Sequence, residues 1–191
     1  MSYNQDQIYI DKVLTGNAQA FTYLLDKYKD FVFTIAVNIV KNREDAEDIA
    51  QDSFVKAFHN LKNFKGDSKF STWLFTITLR TAISGTRKNN LLTSEIETHV
   101  INNYKDDGLV NQIDMLANKD QAFYIKKALK DLPEIDALLL TLYYLHENST
   151  EEIEEITGLN KSNIKVRMHR ARKKLALSLQ EILPEEYALH L

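Results

Sequence analysis

"STEEIEEITGLNKSNIKVRMHRARKKL", Ser149 to Leu175, is the stretch on which the reading of this chain turns. Ser149-Thr150-Glu151-Glu152 has the S-x-x-E form of a capping box, in which a serine hydroxyl and a glutamate carboxylate satisfy orphan amides at a helix start. Ile153 and Ile156 give that short helix a buried side, Gly158 permits a sharp turn and Leu159 packs into it. Asn160 is placed to cap a second helix running to about Leu183, where Pro184 stops it. Short capped helix, glycine turn, longer helix: this is the layout of a helix-turn-helix, whose second helix lies in the DNA major groove.

From Asn163 to Leu175 that second helix carries six Lys or Arg residues and no acid. Ile164, Met168, Ala171 and Leu175 recur at helical spacing, so they face a core and turn Lys165, Arg167, Arg170, Lys173 and Lys174 outward. Each cation that neutralises a phosphate releases condensed counterions, and Arg or Lys near the N-terminal half can also reach guanine edges. The candidate DNA contacts are Lys161, Ser162, Asn163, Lys165, Val166, Arg167 and Arg170, with Arg172 and Lys173 as backbone anchors. A solvated basic face is the bland alternative. Its coincidence with a cap, a glycine turn and a core-facing stripe favours DNA.

Outward from this segment, the 191 residues suffice for one moderate domain or two small ones, and two small helical domains fit the pattern better. Five Gly and two Pro argue against a turn-rich β chain and for an all-α fold. Without Cys there is no disulfide framework, thiolate zinc site or cysteine nucleophile, which fits a reducing cytosol. The N-terminus has no basic region leading into an apolar stretch, and the longest apolar run, Phe31 to Val40, is about half a membrane span. A soluble cytoplasmic protein is expected. The formal charge of −3 decides nothing about nucleic acid, because screening over roughly 8 Å makes local patches matter.

Toward the N-terminus, Ala20, Phe21, Leu24, Leu25 and Tyr28 have the spacing of one helix face, and Phe31, Val32, Ile35, Ala36, Ile39 and Val40 that of another, predicting two core helices. A third follows in "REDAEDIAQDSFVKAFHNL", with Ala46, Ala50, Phe54, Ala57, Phe58 and Leu61 as its apolar stripe, and a fourth spans roughly Ser71 to Thr86. The pattern weakens from Asn89 to Asn118, where six asparagines and Asp106-Asp107-Gly108 mark a linker, partly apolar. Periodicity resumes near Asp120, giving a helix through Lys130 and another opened by Pro133.

On the third helix Glu44, Asp45, Glu47, Asp48 and Asp52 gather opposite the apolar stripe, which by itself reads as a solvated face favouring the helix dipole. Downstream, "LKNFKGDSKFSTWLFTI" interleaves Phe64, Phe70, Trp73 and Phe75 with Lys62, Lys65 and Lys69. Aromatics beside cations suit single-stranded nucleic acid, since bases stack on rings while lysines hold the backbone. A core role for Trp73 and Phe75 is at least as well supported. Gly66-Asp67-Ser68 reads as a loop.

"DAEDIAQDSFVKAFHNLKNFKGDSKFSTWL" followed by "LPEIDALLLTLYYLHENSTEEIEEITGLNKSNIKVRMHRARKKL" resembles a bacterial sigma-70-type RNA polymerase sigma factor of the extracytoplasmic function group. The resemblance implies a region-2 domain over 1–90, a linker over 91–118 and a region-4 domain over 119–183. It further implies that Asp45, Asp48, Gln51, Asp52 and Phe54 contact core RNA polymerase, on the clamp helices of β′, with β as a further partner surface. Lys62, Phe64, Lys65, Asp67, Ser68, Lys69, Phe70, Trp73 and Arg80 would melt and hold the −10 element, and the Asn160 to Lys174 helix would read the −35 element. An anti-sigma factor is implied as a regulator, with no cofactor, metal or small-molecule substrate. Two departures bear on recognition. Leu79-Arg80 and Ser84-Gly85 replace the Arg-Asn and Asp-Arg pairs common after "STWL", and Val166 stands where a small hydroxyl residue is frequent, suggesting an apolar base contact.

An enzyme is improbable: the five histidines are scattered, "HEN" at His146 lacks a zincin's second histidine, and there is no phosphate loop or nucleophile elbow. A stand-alone helix-turn-helix regulator explains the basic helix but leaves the acidic stripe and the Lys-aromatic loop without a task.

Overall fold

A computed structural model of the protein describes residues 5–85 and 122–182. The expected linker and Pro184 lie outside the described residues. The chain divides into two compact units, Met1–Asn89 and Asn90–Leu191, and the described residues of both are helical.

In the first unit, α1 (Gln5–Leu14) leads through a 3-10 turn into α2 (Phe21–Val40), α3 (Arg43–Asn60) and α4 (Phe70–Gly85), the last three packing against one another. The two helices expected over Ala20 to Val40 are one. Phe21, Leu24, Tyr28, Val32, Ile35, Ala36 and Ile39 are all buried on a single unbroken face, and no Gly or Pro interrupts "DKYKDF" between the halves. The helix ends at Lys41, left-handed at φ 56°, and the chain turns directly into α3, whose cap Asn42 accepts from the amides of Glu44 at 2.8 Å and Asp45 at 3.2 Å.

The sequence reading missed α1 because it buries almost nothing apolar besides Ile10. Its anchor is polar. The Asp6 carboxylate is buried, pairs with Lys27 and accepts a hydrogen bond from the Tyr28 hydroxyl at 2.6 Å. Burial, and then that carboxylate, push the Tyr28 hydroxyl well above its ordinary titration range, so it stays a donor.

In the second unit, α5 (Ala122–Ala128) tightens into a 3-10 turn, α6 (Glu134–Leu140) continues as a π turn over Thr141–Leu145, and α7 (Thr150–Thr157) and α8 (Lys161–Ile182) follow. Pro133, expected in the first turn of its helix, stands one place earlier as the cap, with ψ 147°. Leu138, Leu142, Ile153, Ile164, Ala171 and Leu175 are buried together with little or no exposure, so the stripes read from the sequence meet in one core. The capping box at Ser149 is fully formed: Glu152 N–H donates to the Ser149 hydroxyl at 3.2 Å, and Ser149 N–H donates to the Glu152 carboxylate at 2.9 Å. Gly158 is left-handed at φ 73°, the geometry that makes glycine the residue of this turn. Asn160 caps α8 by accepting from Asn163 N–H at 2.8 Å.

Candidate nucleic-acid and partner interfaces

Because α3 sets Ala46, Ile49, Ser53, Phe54 and Ala57 against α2 and α4, most of its remaining residues face solvent. Glu44, Asp45, Glu47, Asp48, Gln51 and Asp52 are all exposed, forming a carboxylate-rich face over the first three turns. Arg43 pairs with Glu47 at 2.8 Å, and Lys56 stands 3.9 Å from Asp52. Phe54, expected among the partner contacts, is instead a core residue. It lies edge-on to Phe21 at 6.4 Å, because position 54 falls on the same side of the helix as Ala46 and Ala57. Val55 and Phe58, 48% and 37% exposed, continue the acidic face in apolar form. The sequence reading overlooked Val55; Phe58, which it placed in the apolar stripe, packs edge-on against Phe21 at 5.2 Å while leaving part of its ring in solvent. The signal was available in Val55, which lies three and four residues beyond Asp52 and Gln51.

The loop between α3 and α4 keeps Lys62, Lys65, Asp67 and Lys69 exposed and Ser68 half-buried, with Gly66 at φ 76° making the bend. Phe70, expected to meet nucleic acid, is 1% exposed and is corrected to a core residue: as the first residue of α4 its ring is boxed in by Tyr28 at 5.7 Å, Phe64 at 5.8 Å and Trp73 at 5.8 Å. Phe75 is also buried, whereas Phe64 and Trp73, 5.3 Å apart, keep part of their rings in solvent. Beside Trp73 an open groove of about 380 Å³ runs between α3 and α4. It brings the expected Trp73 and Arg80 together with Ser84, noted in the sequence as a departure from the family pattern, and with Lys56, Asn60, Asn63 and Thr81, which the sequence reading left out. Spacing along α4 joins Trp73, Arg80 and Ser84, but nothing local announces that the end of α3 forms the opposite wall.

The helix-turn-helix is present as α7 and α8, and its positive face is narrower than the sequence suggests. Lys161, Ser162, Lys165, Arg170, Lys173 and Lys174 are exposed. Lys161 reaches Glu151 across the turn at 3.1 Å. Its own backbone amide in the first turn of α7, and then Lys161, hold the Glu151 carboxyl below its usual value. Val166, expected at a base edge, is 7% exposed and is corrected to a residue packed against its own unit. Arg167, expected to face outward, turns back onto its own unit. Its Nη1 donates to Asp136 of α6 at 3.1 Å and its Nε to Asn163 at 3.2 Å. Arg172 is likewise held, donating to the Tyr144 hydroxyl at 2.8 Å with its guanidinium 4.9 Å from the Tyr143 ring centroid. Arg170 is the arginine of this helix that points to solvent.

Comparison with known proteins identifies the family. Sigma-70 region 2 matches residues 24–91, and Sigma-70, region 4 matches residues 122–175. The protein is thus a member of the sigma-70 family of RNA polymerase sigma factors, a promoter-directing factor with a region-2 and a region-4 unit. Within that family it belongs to the extracytoplasmic function group. The ECF RNA polymerase sigma factor SigW of Bacillus subtilis is 31% identical over 180 residues, covering 91% of this chain and 96% of SigW. The RNA polymerase sigma-H factor of Pseudomonas aeruginosa is 29% identical over 197 residues, 97% of this chain and 99% of that protein. Among solved structures, the sigma factor RpoE of Bartonella quintana, crystallised with the anti-sigma factor NepR, aligns with a TM-score of 0.60 at 26% identity, over 85% of this chain and 98% of that one. CnrH in complex with the cytosolic domain of CnrY has the same fold, with a TM-score of 0.62 at 23% identity over 94% and 100% of the chains. These relatives are sigma factors, which are not enzymes. Among the described residues, no helix is long and apolar enough to cross a membrane.

Proposed function

We propose that the two units divide the work of promoter initiation by charge. The exposed carboxylates of α3, Asp45, Asp48 and Asp52 with Gln51, dock on the β′ clamp helices of core polymerase, and Val55 and Phe58 add an apolar edge to that contact. Lys62, Lys65, Lys69 and the groove walled by Trp73 and Arg80 hold the melted −10 strand, with Phe64 and Trp73 offering ring faces and Phe70 buttressing both from below. Lys161, Ser162, Lys165, Arg170 and Lys173 of α8 meet the −35 duplex. Residues 1–90 and 119–183 form the two functional domains, and 91–118 links them. The protein works in the cytoplasm by binding alone, and an anti-sigma factor restrains it, as the partnered Bartonella relative suggests.

One observation carries this reading: the exposed acidic face of α3 shares its unit with a cation- and amide-lined groove beside half-exposed aromatics. In a reconstituted assay, wild-type protein should start transcription with core polymerase at its promoter. Asp48→Lys with Asp52→Lys should abolish core binding, measured by competition or co-elution, while the circular dichroism spectrum stays unchanged. Undiminished core affinity in that variant would refute the docking face.

A further inference from the structure

Resting on the −35 reading above, we propose that Asp136 withholds Arg167 from promoter DNA, acting as an intramolecular substitute for a phosphate and limiting how many cations α8 presents. Asp136 and Arg167 lie 31 residues apart on α6 and α8, and both side chains are only 14% exposed. The ion pair sits in the packed helix-turn-helix unit, where a charge-assisted bond is stronger than at the surface. Asn163, one turn before Arg167 on α8, accepts from Nε and closes the clasp from the second side. At least two of the three guanidinium nitrogens are therefore engaged within the protein, Nη1 toward α6 and Nε toward Asn163 of α8 itself, which takes the fork away from a guanine or a phosphate. Lys165 and Arg170, in contrast, stand exposed on the same helix.

The clasp has a second consequence. Asp136 cancels one positive charge of the reading helix and fixes its orientation against α6, so it is a positioning residue that tunes the salt dependence and selectivity of promoter binding. Releasing Arg167 adds one cation able to displace condensed counterions, steepening the dependence of log K on log salt by about 0.9, roughly eightfold in affinity for a tenfold dilution of salt.

The test uses full-length protein assembled with core polymerase on a promoter duplex, with affinity measured across a salt series and on duplexes substituted through the −35 element. Lys165→Ala and Arg170→Ala should each flatten the slope by about 0.9. If neither does, the −35 assignment fails and the clasp proposal falls with it. Arg167→Ala should leave both slope and base preference at wild type, and a slope flatter by about 0.9 would show that Arg167 reaches the DNA and overturn the proposal. Asp136→Asn, which preserves shape and removes the charge, should steepen the slope by about 0.9 and loosen base preference. Combining it with Arg167→Ala should restore the wild-type slope. Were Asp136 merely structural, Asp136→Asn would lower the melting temperature without steepening the slope, and that outcome also overturns the proposal.

Discussion

Ser149 and Glu151 stand at the start of the helix that supports the −35 reader, and both act through backbone amides. Ser149→Ala removes the acceptor for Glu152 N–H and should cost about 1 kcal/mol, read from denaturant unfolding. Glu151 lies two residues further on, where its own backbone amide and then Lys161 hold its carboxyl below the usual 4.5. A group whose folded pKa is depressed contributes stability above its unfolded pKa and loses it as pH falls through the folded one. Wild type should therefore lose more melting temperature than Glu151→Gln as pH falls from neutral through the range in which the carboxylate takes up its proton. Parallel acid limbs would show that the carboxylate is not linked to folding. The capping box and the Asn160 cap were legible in the sequence because donor and acceptor lie three residues apart. The direction of Arg167 was not, because its partner Asp136 is 31 residues away and on another helix.

At the scale of elements, the α3–α4 hairpin separates two roles that sequence pattern merges. Phe70 and Trp73 stand one turn apart in an aromatic, lysine-flanked run, yet Phe70 is enclosed and Trp73 borders the groove. Phe70→Ala should destabilise the protein by about 3 to 5 kcal/mol, as expected for an aromatic removed from a packed core. Trp73→Ala should cost less stability and instead reduce open-complex formation, measured with permanganate or a fluorescent base at the −10 element, while leaving core binding intact. Equal stability losses with normal melting would contradict the division. Apolar spacing, together with caps and the Gly158 turn for α7 and α8, located α3, α4, α7 and α8. It split α2 in two and missed α1, because neither the length of a continuous apolar face nor a polar anchor such as Asp6 to Lys27 and Tyr28 leaves a local mark.

For the molecule as a whole, a formal charge of −3 conceals opposite local surfaces: carboxylates exposed on α3 and cations exposed on α8. With Arg167 and Arg172 engaged internally, fewer cations of α8 face a duplex than its sequence offers. The protein alone should bind promoter DNA only in the nonspecific range, a Kd of about 10⁻⁴ to 10⁻⁶ M, and adding core polymerase should convert this to tight, sequence-selective binding by fluorescence anisotropy. Tight binding without core enzyme would favour a stand-alone regulator. The sequence by itself determined the helical class, the helix-turn-helix, its caps and the separation of acidic from basic segments, because all of these follow from spacings within a few turns of one helix. Only the tertiary structure decided which aromatics and arginines remain available. Enclosure of Phe70, the groove between α3 and α4, and the capture of Arg167 by Asp136 all depend on side chains from separate elements meeting in space, and no local period encodes that meeting.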